Sequence, residues 1–299
     1  MNQKNRFYYY YRILKWRIIK DRSPIGAAIK ITQRCNLKCK HCTWQNRITR
    51  DLSFLEWKNI IDDLYKQGVT IVVIEGGEPT LHKEASKIVE YIKSKGMYSI
   101  FITNGTHDIS NINPDVFWIS IDGMKKSHDE IRGGGVFEKM ISTLEKNRDK
   151  KFISLTTLSK TNAEDVEPLC EYFSHSDLLY GLMFHFMYPY NDVKDIALDS
   201  EERREIAQKM MELKKKYPKL MNSMSYLKTI GKEKKCYPWL LVVVTADGKQ
   251  QHGCMVRHIE KEDCSKCDMG CYGEISRLYE FKRDTLAFGS ENFGFPRLI

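Results

Sequence analysis

Three cysteines lie within eight residues near the start of the chain, in the stretch CNLKCKHC at 35–42. Thiolates at such spacing bind soft metal ions and iron-sulfur clusters. A structural zinc site takes four ligands, whereas three thiolates can hold three irons of a four-iron cluster and leave the fourth iron open to a small molecule. The residues alone also allow a zinc site that His41 or a distant cysteine completes.

Three further motifs combine glycine with polar residues: GGEP at 76–79, TNG at 103–105 and SIDG at 120–123. Each follows a short apolar run, as CNLKCKHC does. Because the carboxyl ends of the parallel strands of a barrel meet at one rim, the four motifs are predicted to converge on a common site. Taken singly, they would be ordinary turns or helix caps.

Apolar runs rich in β-branched and aromatic residues alternate with stretches of helical periodicity. The predicted strands are 26–33, 69–75, 98–103, 116–121, 152–158 and 181–187. The predicted helices are 53–67, 82–95, 136–147 and 164–174, the first of which opens with a capping box. This alternation predicts an α/β fold of about six strand–helix units, either a partial barrel or an open doubly wound sheet.

The spacing of Cys35, Cys39 and Cys42 after a first strand resembles the signature of the radical S-adenosylmethionine (SAM) superfamily. This resemblance implies an enzyme with a partial (β/α)6 TIM-like barrel over roughly residues 26–190. It also implies a [4Fe-4S] cluster, held by the three cysteines, whose open iron binds the amino and carboxylate groups of SAM. In that family an electron from the cluster cleaves SAM, and the resulting 5′-deoxyadenosyl radical removes hydrogen from the substrate, in oxidoreductase or transferase reactions run anaerobically.

The resemblance extends to the other rim motifs. The glycines of GGEP look like the segment that receives the methionyl amino group, and Arg132 looks like an arginine that meets the SAM carboxylate. A solvated surface arginine is the alternative. His41 departs from the family, which usually carries an aromatic residue there, although its ring can stack near adenine. The implied SAM-binding residues are His41, Gly76, Gly77, Glu78, Asn104, Ser120, Asp122 and Arg132.

Five more cysteines cluster toward the C-terminus: Cys236, Cys254, Cys264, Cys267 and Cys271. The stretch VVVTADGKQQHGC predicts a hairpin turning at Asp247-Gly248, which would bring the first two together, and CSKC supplies two more thiols. Four cysteines suit a zinc ribbon and an iron-sulfur cluster equally well. The layout resembles the SPASM or Twitch extensions of radical SAM barrels, which implies a second, auxiliary [4Fe-4S] cluster. All five cysteines are candidate ligands of this cluster; which four bind it is left open, and Cys271 is the expected spare thiol.

These features divide the chain into a basic aromatic helix (1–25), a radical SAM barrel (26–195) and linker helices with a small auxiliary-cluster domain (196–299). A helix over residues 1–22 suits a peripheral membrane contact, or it caps the bottom of the barrel. Its predicted apolar face is Phe7, Tyr10, Tyr11, Leu14 and Ile18.

An N-terminal helix that leads into the cysteine loop resembles radical SAM enzymes of polyprenoid lipids, such as the hopanoid adenosylating enzyme and archaeal tetraether lipid synthases. The leading hypothesis is therefore hydrogen abstraction from an unactivated C–H bond of a lipid or isoprenoid. Modification of a peptide or protein is the alternative. An electron carrier or zinc-binding scaffold belongs to another class, and it would have no need of GGEP, TNG and SIDG.

By position only, the candidates to donate a hydrogen atom to the substrate radical are Tyr188, Tyr190 and His185; core or surface roles are the alternative. A reduced ferredoxin or flavodoxin is the expected electron source.

The composition is compatible with this interpretation. With 299 residues and 42% hydrophobic residues the chain can bury a large core, and it shows neither a membrane-spanning run nor a signal peptide, so a cytoplasmic protein is expected. Nine clustered cysteines favour metal or cluster ligation over disulfides. The net charge of +9 comes from scattered lysines and arginines, so no nucleic-acid partner is expected.

Overall fold

The computed structural model describes residue 11 and residues 14–16, 18–43 and 50–285. Eight strands form one sheet in the order β6-β5-β4-β3-β2-β1-β7-β8. All neighbours are parallel except β7 and β8, which form an antiparallel hairpin. The strands are β1 Gly26–Thr32, β2 Ile71–Gly76, β3 Tyr98–Thr103, β4 Val116–Ser120, β5 Phe152–Leu158, β6 Gly181–Phe186, β7 Leu241–Val244 and β8 Gln250–His252.

In the described ranges, seven α-helices connect strands and an eighth follows β8. They are α1 Phe54–Gln67, α2 Ala85–Ser94, α3 Lys125–Arg132, α4 Val136–Lys146, α5 Val166–Ser174, α6 Ser200–Lys216, α7 Met224–Leu227 and α8 Gly270–Tyr279. The capping box predicted for α1 is confirmed, because the Ser53 side chain accepts from the Glu56 amide while the Glu56 side chain accepts from the Ser53 amide. Gly68 ends α1 in the left-handed region, with φ of 92°.

The two faces of the sheet are packed differently. Residues such as Ile29, Phe101 and Phe117 join one large core with the buried sides of the helices. On the opposite face Ile100, Val116 and other strand residues pack on one another. A parallel sheet whose uncovered face packs on itself is curved, and this concave face is the interior of the predicted partial (β/α)6 barrel.

Two local elements differ from the sequence prediction. Helix α3 was not predicted, because KKSHDEIR buries only His128 and Ile131 and so lacks a long apolar stripe. No helix connects β3 and β4 among the described residues, so strand–helix alternation is interrupted there.

The C-terminal hairpin is confirmed, and Gly248 takes a left-handed φ of 84° in its turn. Strand β7 also pairs in parallel with β1, with Gly26 opposite Leu241. The sheet therefore continues beyond residue 195, where the sequence analysis ends the barrel. The proposed division into three segments stays a prediction.

Most of the predicted N-terminal helix, including Phe7 and Tyr10, lies outside the described residues. In the described part, Tyr11, Leu14 and Ile18 are exposed. The buried residue is instead Trp16, whose ring lies 5.5 Å from that of Trp239. The segment thus docks through a residue that does not belong to the predicted apolar face. Within the described ranges, no helix is both long enough and apolar enough to cross a bilayer.

Candidate active site

The four rim motifs converge on one cavity, as the barrel geometry predicts. The cavity has a volume of about 300 Å³ and lies at the carboxyl ends of the strands. Its wall includes residues from all four motifs and from the end of α3: Cys35, Cys39, His41, Cys42, Gly76, Gly77, Glu78, Asn104, Ser120 and Arg132. Residues separated by almost 100 positions in sequence therefore share one binding space.

The two glycines of GGEP allow the β1 and β2 loops to touch. A Cβ atom on Gly76 would lie 2.2 Å from the Thr32 carbonyl oxygen, and one on Gly77 would lie 2.3 Å from the Arg34 carbonyl oxygen. In their absence the Gly77 amide donates to Thr32 at 2.9 Å and the Glu78 amide donates to Arg34 at 2.8 Å. The glycines thus bring the GGEP backbone against the start of the cysteine loop.

Glu78 is buried and holds neighbouring loops together. Its carboxylate accepts hydrogen bonds from the Thr103 hydroxyl at 2.8 Å and from the Asn104 amide at 2.7 Å. It also accepts from the Thr80 amide and hydroxyl. Three of these donors share Oε1 and one binds Oε2, so the carboxylate links TNG to GGEP.

The Asn104 side chain continues this network toward the cysteines. Its Nδ2 donates to Oδ1 of Asn36, inside the cysteine loop, at 3.0 Å. Its Oδ1 accepts from the Thr106 hydroxyl, and Asn36 Nδ2 donates to that same hydroxyl at 2.8 Å. Asn36 and Thr106 were not identified from the sequence, since no motif distinguishes them from ordinary polar loop residues.

Asp122 and Arg132 form a buried ion pair beside the cysteines. Arg132 Nε donates to Asp122 Oδ2 at 2.6 Å, and the two side chains are 9% and 0% exposed. Burial alone would raise the pKa of Asp122, but Arg132 holds it below its ordinary value. Asp122 also accepts from the Thr157 amide at 2.8 Å. The alternative of a solvated surface arginine is therefore wrong.

The ion pair fixes the direction of the guanidinium group. Arg132 Nη1 lies 3.9 Å from the sulfur of Cys39. His41 also lies near Asp122, with Nδ1 at 3.7 Å from Oδ2, and burial lowers the pKa of this histidine. The cavity therefore presents a fixed cation and a neutral imidazole next to the cysteine loop.

The three thiols of this loop are close enough to influence one another. Burial raises the pKa of Cys39 to about 11 and raises that of Cys35, and in both cases the Cys42 thiol adds to the rise while Arg132 opposes it. The loop is tied to the barrel by the Lys40 amide, which donates to the Ile131 carbonyl at 2.9 Å. Neighbouring thiolates repel one another, and a bound metal cation or the cationic core of an iron-sulfur cluster removes this repulsion.

The comparisons with known proteins agree with this geometry. Residues 29–173 match the model of the Radical SAM superfamily. The chain carries a radical SAM domain. Fe-coproporphyrin III synthase of Methanosarcina barkeri is 28% identical over 212 residues, which cover 66% of this chain and 53% of the relative. Mycofactocin maturase MftC of Mycolicibacterium smegmatis is 30% identical over 164 residues, covering 50% and 41% respectively.

A solved structure shares the fold. SuiB of Streptococcus suis, bound to its precursor peptide SuiA, superposes with a TM-score of 0.67 at 16% identity, covering 86% of this chain and 66% of SuiB. At that identity the likeness shows the fold alone. This chain spans about half the length of the curated relatives it matches.

Proteins of the radical SAM superfamily use a [4Fe-4S] cluster and SAM, and the residues present fit both. The donors are three thiols at one rim of the cavity, next to a guanidinium group that suits a carboxylate. In the described ranges no group of three His, Cys, Asp or Glu side chains is arranged to hold a single metal ion. That observation concerns mononuclear sites, since in a four-iron cluster each thiolate binds its own iron.

The five C-terminal cysteines of the radical SAM chain also lie together. Cys236 interacts electrostatically with Cys254, Cys264 and Cys267, and Cys271 interacts with Cys236 and Cys267. Cys236 and Cys271 are accessible to solvent, yet desolvation raises the pKa of both, that of Cys236 to about 11. A thiol that is accessible to solvent and also surrounded by protein atoms lies in a recess, where it could reach a bound cluster.

A buried carboxylate paired with two cationic side chains borders this recess. Asp268, next to Cys267, is buried and paired with Arg203 at 2.9 Å and with Lys234. Burial lowers the pKa of Lys234 to about 8, against the effect of Cys267. Two cations around one carboxylate leave net positive charge beside the thiols, which favours thiolates or an anionic cluster. Sequence reasoning missed this triad because its members lie on three separate segments.

We expect acid to destabilise the protein through His128. Burial lowers its pKa to about 4, and its Nδ1 accepts the Asp122 amide at 3.1 Å. Between the ordinary histidine pKa and this value the unfolded chain binds the extra proton, so stability falls as pH falls through that window. For this residue alone the loss from neutral pH to about pH 5 is about 2 kcal/mol.

Urea unfolding at several pH values measures this effect. His128→Asn keeps an acceptor for the Asp122 amide but removes the titrating ring, so we expect a shallower dependence of stability on pH. His175→Asn, which replaces an exposed histidine outside the cavity, serves as the control. An unchanged slope in His128→Asn would contradict the assignment.

Proposed function

We propose that this chain is a radical SAM enzyme that removes a hydrogen atom from a C–H bond of a peptide or protein substrate. The observation that carries the proposal is the single cavity that joins the three thiols, the GGEP backbone and Arg132. When bound, the cluster would supply the electron for reductive cleavage of SAM, and SAM would be the source of the radical that accepts the hydrogen atom. The residues of the chain hold, orient and shield these groups.

Each cavity residue then has a proposed role. Cys35, Cys39 and Cys42 hold the cluster. Arg132, kept in place by Asp122, donates to the SAM carboxylate, while the GGEP backbone receives the methionyl amino group. His41, neutral because of burial, offers a flat ring to adenine. Glu78, Asn104 and Ser120 complete the wall and keep the loops together.

The substrate class is proposed from the relatives and the fold. One relative is named as a maturase, and SuiB, which has the same fold, is bound to a precursor peptide. The lipid or isoprenoid substrate expected from the N-terminal segment gains no support from the relatives reported above. A tetrapyrrole is the second candidate, because Fe-coproporphyrin III synthase matches over the greater length.

Deuterium transfer distinguishes these substrates. Anaerobically reconstituted enzyme is incubated with SAM, dithionite and one of three fully deuterated fractions, namely peptides, tetrapyrroles or lipids. Deuterium in the 5′-deoxyadenosine, detected by mass spectrometry, identifies the class from which hydrogen is removed. We expect the label from the peptide fraction. Label from the tetrapyrrole or lipid fraction alone would reject the peptide substrate, and no cleavage of SAM would reject the proposed enzyme.

We further propose that the C-terminal cysteines hold an auxiliary [4Fe-4S] cluster. The recess around Cys267 and the positive charge of Arg203 and Lys234 support a cluster there. Cys271, the spare thiol of the sequence analysis, lies in the same recess, so the structure gives no reason to set it aside.

Cys267→Ala is expected to reduce the iron content of the reconstituted protein by the equivalent of one four-iron cluster. The first cluster and its SAM-dependent signal should remain. Iron and sulfide analysis with electron paramagnetic resonance (EPR) measures both. Cys170→Ala, a buried cysteine of the core, is the control and should leave iron unchanged. An auxiliary cluster is excluded if Cys267→Ala also leaves iron unchanged.

A reduced ferredoxin or flavodoxin is the proposed electron donor, because a low-potential cluster requires such a source. Contact of residues 1–22 with a membrane surface stays a prediction. In its described part, Leu14 and Ile18 are exposed, which is compatible with that contact.

A further inference from the structure

Polar residues of β1, β2 and β6 lie in the barrel interior, one layer above its apolar floor. Side chains alternate along each strand, so the residues that follow the inward-facing floor residues at intervals of two also face inward. On β2 the floor residues Ile71 and Val73 are followed by Glu75, and on β6 Met183 is followed by His185. Neither Glu75 nor His185 has a role in holding SAM.

Glu75 lines the same cavity as the three cysteines. Lys30, from the adjacent position of β1, donates to Glu75 Oε1 at 2.6 Å, and the lysine side chain is only 7% exposed. The pair is neutral overall, so it does not attract a free ion. Oε2 has no hydrogen-bond donor among the described residues, and the Glu75 side chain is 23% exposed toward the cavity. The carboxylate therefore offers one acceptor position.

His185 supplies a complementary donor. Its Nδ1 accepts the Gly270 amide at 3.1 Å, which places the ring proton on Nε2. Burial lowers the pKa of His185 to about 4, so the ring is neutral near physiological pH. Nε2 has no acceptor among the described residues. Glu75 acts electrostatically on both His185 and Cys271, so His185 and one C-terminal thiol lie near the Glu75 carboxylate.

We propose that Glu75 and His185 bind one peptide group of the substrate, with the carboxylate accepting its N–H and the imidazole donating to its C=O. This inference rests on the proposed function and specifies how a peptide would be held. An ion-paired carboxylate acceptor and a neutral imidazole donor match an amide, whereas the carboxylates of a tetrapyrrole would need unpaired cations and a lipid chain would need neither group. The contact holds the substrate between SAM and the C-terminal thiols.

Two substitutions test the two halves of this site. Glu75→Gln replaces one carboxylate oxygen with an amide nitrogen, and His185→Asn keeps an acceptor for the Gly270 amide while removing the Nε2 donor. A double variant, Lys30→Met with Glu75→Gln, avoids a buried lysine that has lost its carboxylate partner if the single variant is unstable. Glu167→Gln disrupts a surface ion pair with Lys209 at 3.3 Å and is the matched control.

Each holoenzyme is assayed with the deuterated peptide pool for deuterium transfer, and equilibrium dialysis of the SAM-bound, unreduced enzyme against the pool measures retained peptide. We expect the apparent KM for the pool to rise by about tenfold or more in Glu75→Gln and His185→Asn, with retained peptide falling in parallel. Isothermal titration with SAM and thermal unfolding show whether the SAM site and the fold are intact.

Wild-type values of KM and peptide retention in both variants would overturn the inference and leave the proposed function standing. No deuterium transfer from peptides by the wild-type enzyme would reject the peptide substrate and this inference together. A loss of SAM binding equal to the loss of peptide retention would show a general defect of the cavity and also reject the inference.

Discussion

We expect Cys39→Ala to abolish reductive cleavage of SAM while the iron bound by the C-terminal cysteines stays in place. Cys39 is the most buried of the three thiols in its loop, at 7% exposure, and it lies next to Arg132. With only two thiolates left, the loop cannot retain a cluster that keeps one iron open. The expected result is 5′-deoxyadenosine below detection, measured by mass spectrometry after addition of SAM and dithionite.

Cys170→Ala is the control for this experiment. Cys170 is a fully buried core cysteine on α5, and burial raises its pKa to about 12, as expected for an inert thiol. Its replacement removes a similar side chain from the interior but should leave SAM cleavage intact. If Cys39→Ala still cleaves SAM at a rate near that of the control, the first cluster is not held by this loop.

Arg132→Met is expected to have the largest effect on stability and also to weaken SAM binding. The substitution leaves Asp122 buried without its cation, which destabilises proteins by about 3–5 kcal/mol. It also removes the group proposed to donate to the SAM carboxylate. Urea unfolding measures the first effect, and isothermal titration of the holoenzyme with SAM measures the second. Lys125→Met, which removes an exposed ion pair with Asp129, should change neither measurably.

The double variant Arg132→Met with Asp122→Asn separates the two effects. Without a buried uncompensated charge much of the stability should return, because neutral groups of similar shape replace the pair. SAM affinity should not return, since the guanidinium group is still missing. Full recovery of SAM affinity in the double variant would show that Arg132 acts only through the fold.

The residues that could be predicted from the sequence are those with a local signal. Strands β1 to β6 are predicted within a few residues because each is a short apolar run. GGEP, TNG and SIDG were placed on one rim because the carboxyl ends of parallel strands must meet there. The cysteine spacing predicts a radical SAM domain, which the match of residues 29–173 confirms.

What the sequence did not show depends on contacts between distant segments. Strand β7 pairs with β1 across more than 200 residues, and Gly26 provides the space, since a Cβ there would lie 2.7 Å from the Leu241 side chain. The burial of Arg132 depends on Asp122 being enclosed, which no local pattern reports. Lys30 and Glu75 likewise become a pair only when β1 and β2 are in register.

The central claim is that the cluster of Cys35, Cys39 and Cys42 keeps one iron open for SAM. Electron-nuclear double resonance on the dithionite-reduced holoenzyme, with SAM labelled with nitrogen-15 at its amino group, tests this contact directly. A hyperfine coupling to the labelled nitrogen, absent in Cys39→Ala, is the predicted result. A reduced cluster that binds no labelled nitrogen, in protein shown to hold SAM, would contradict it.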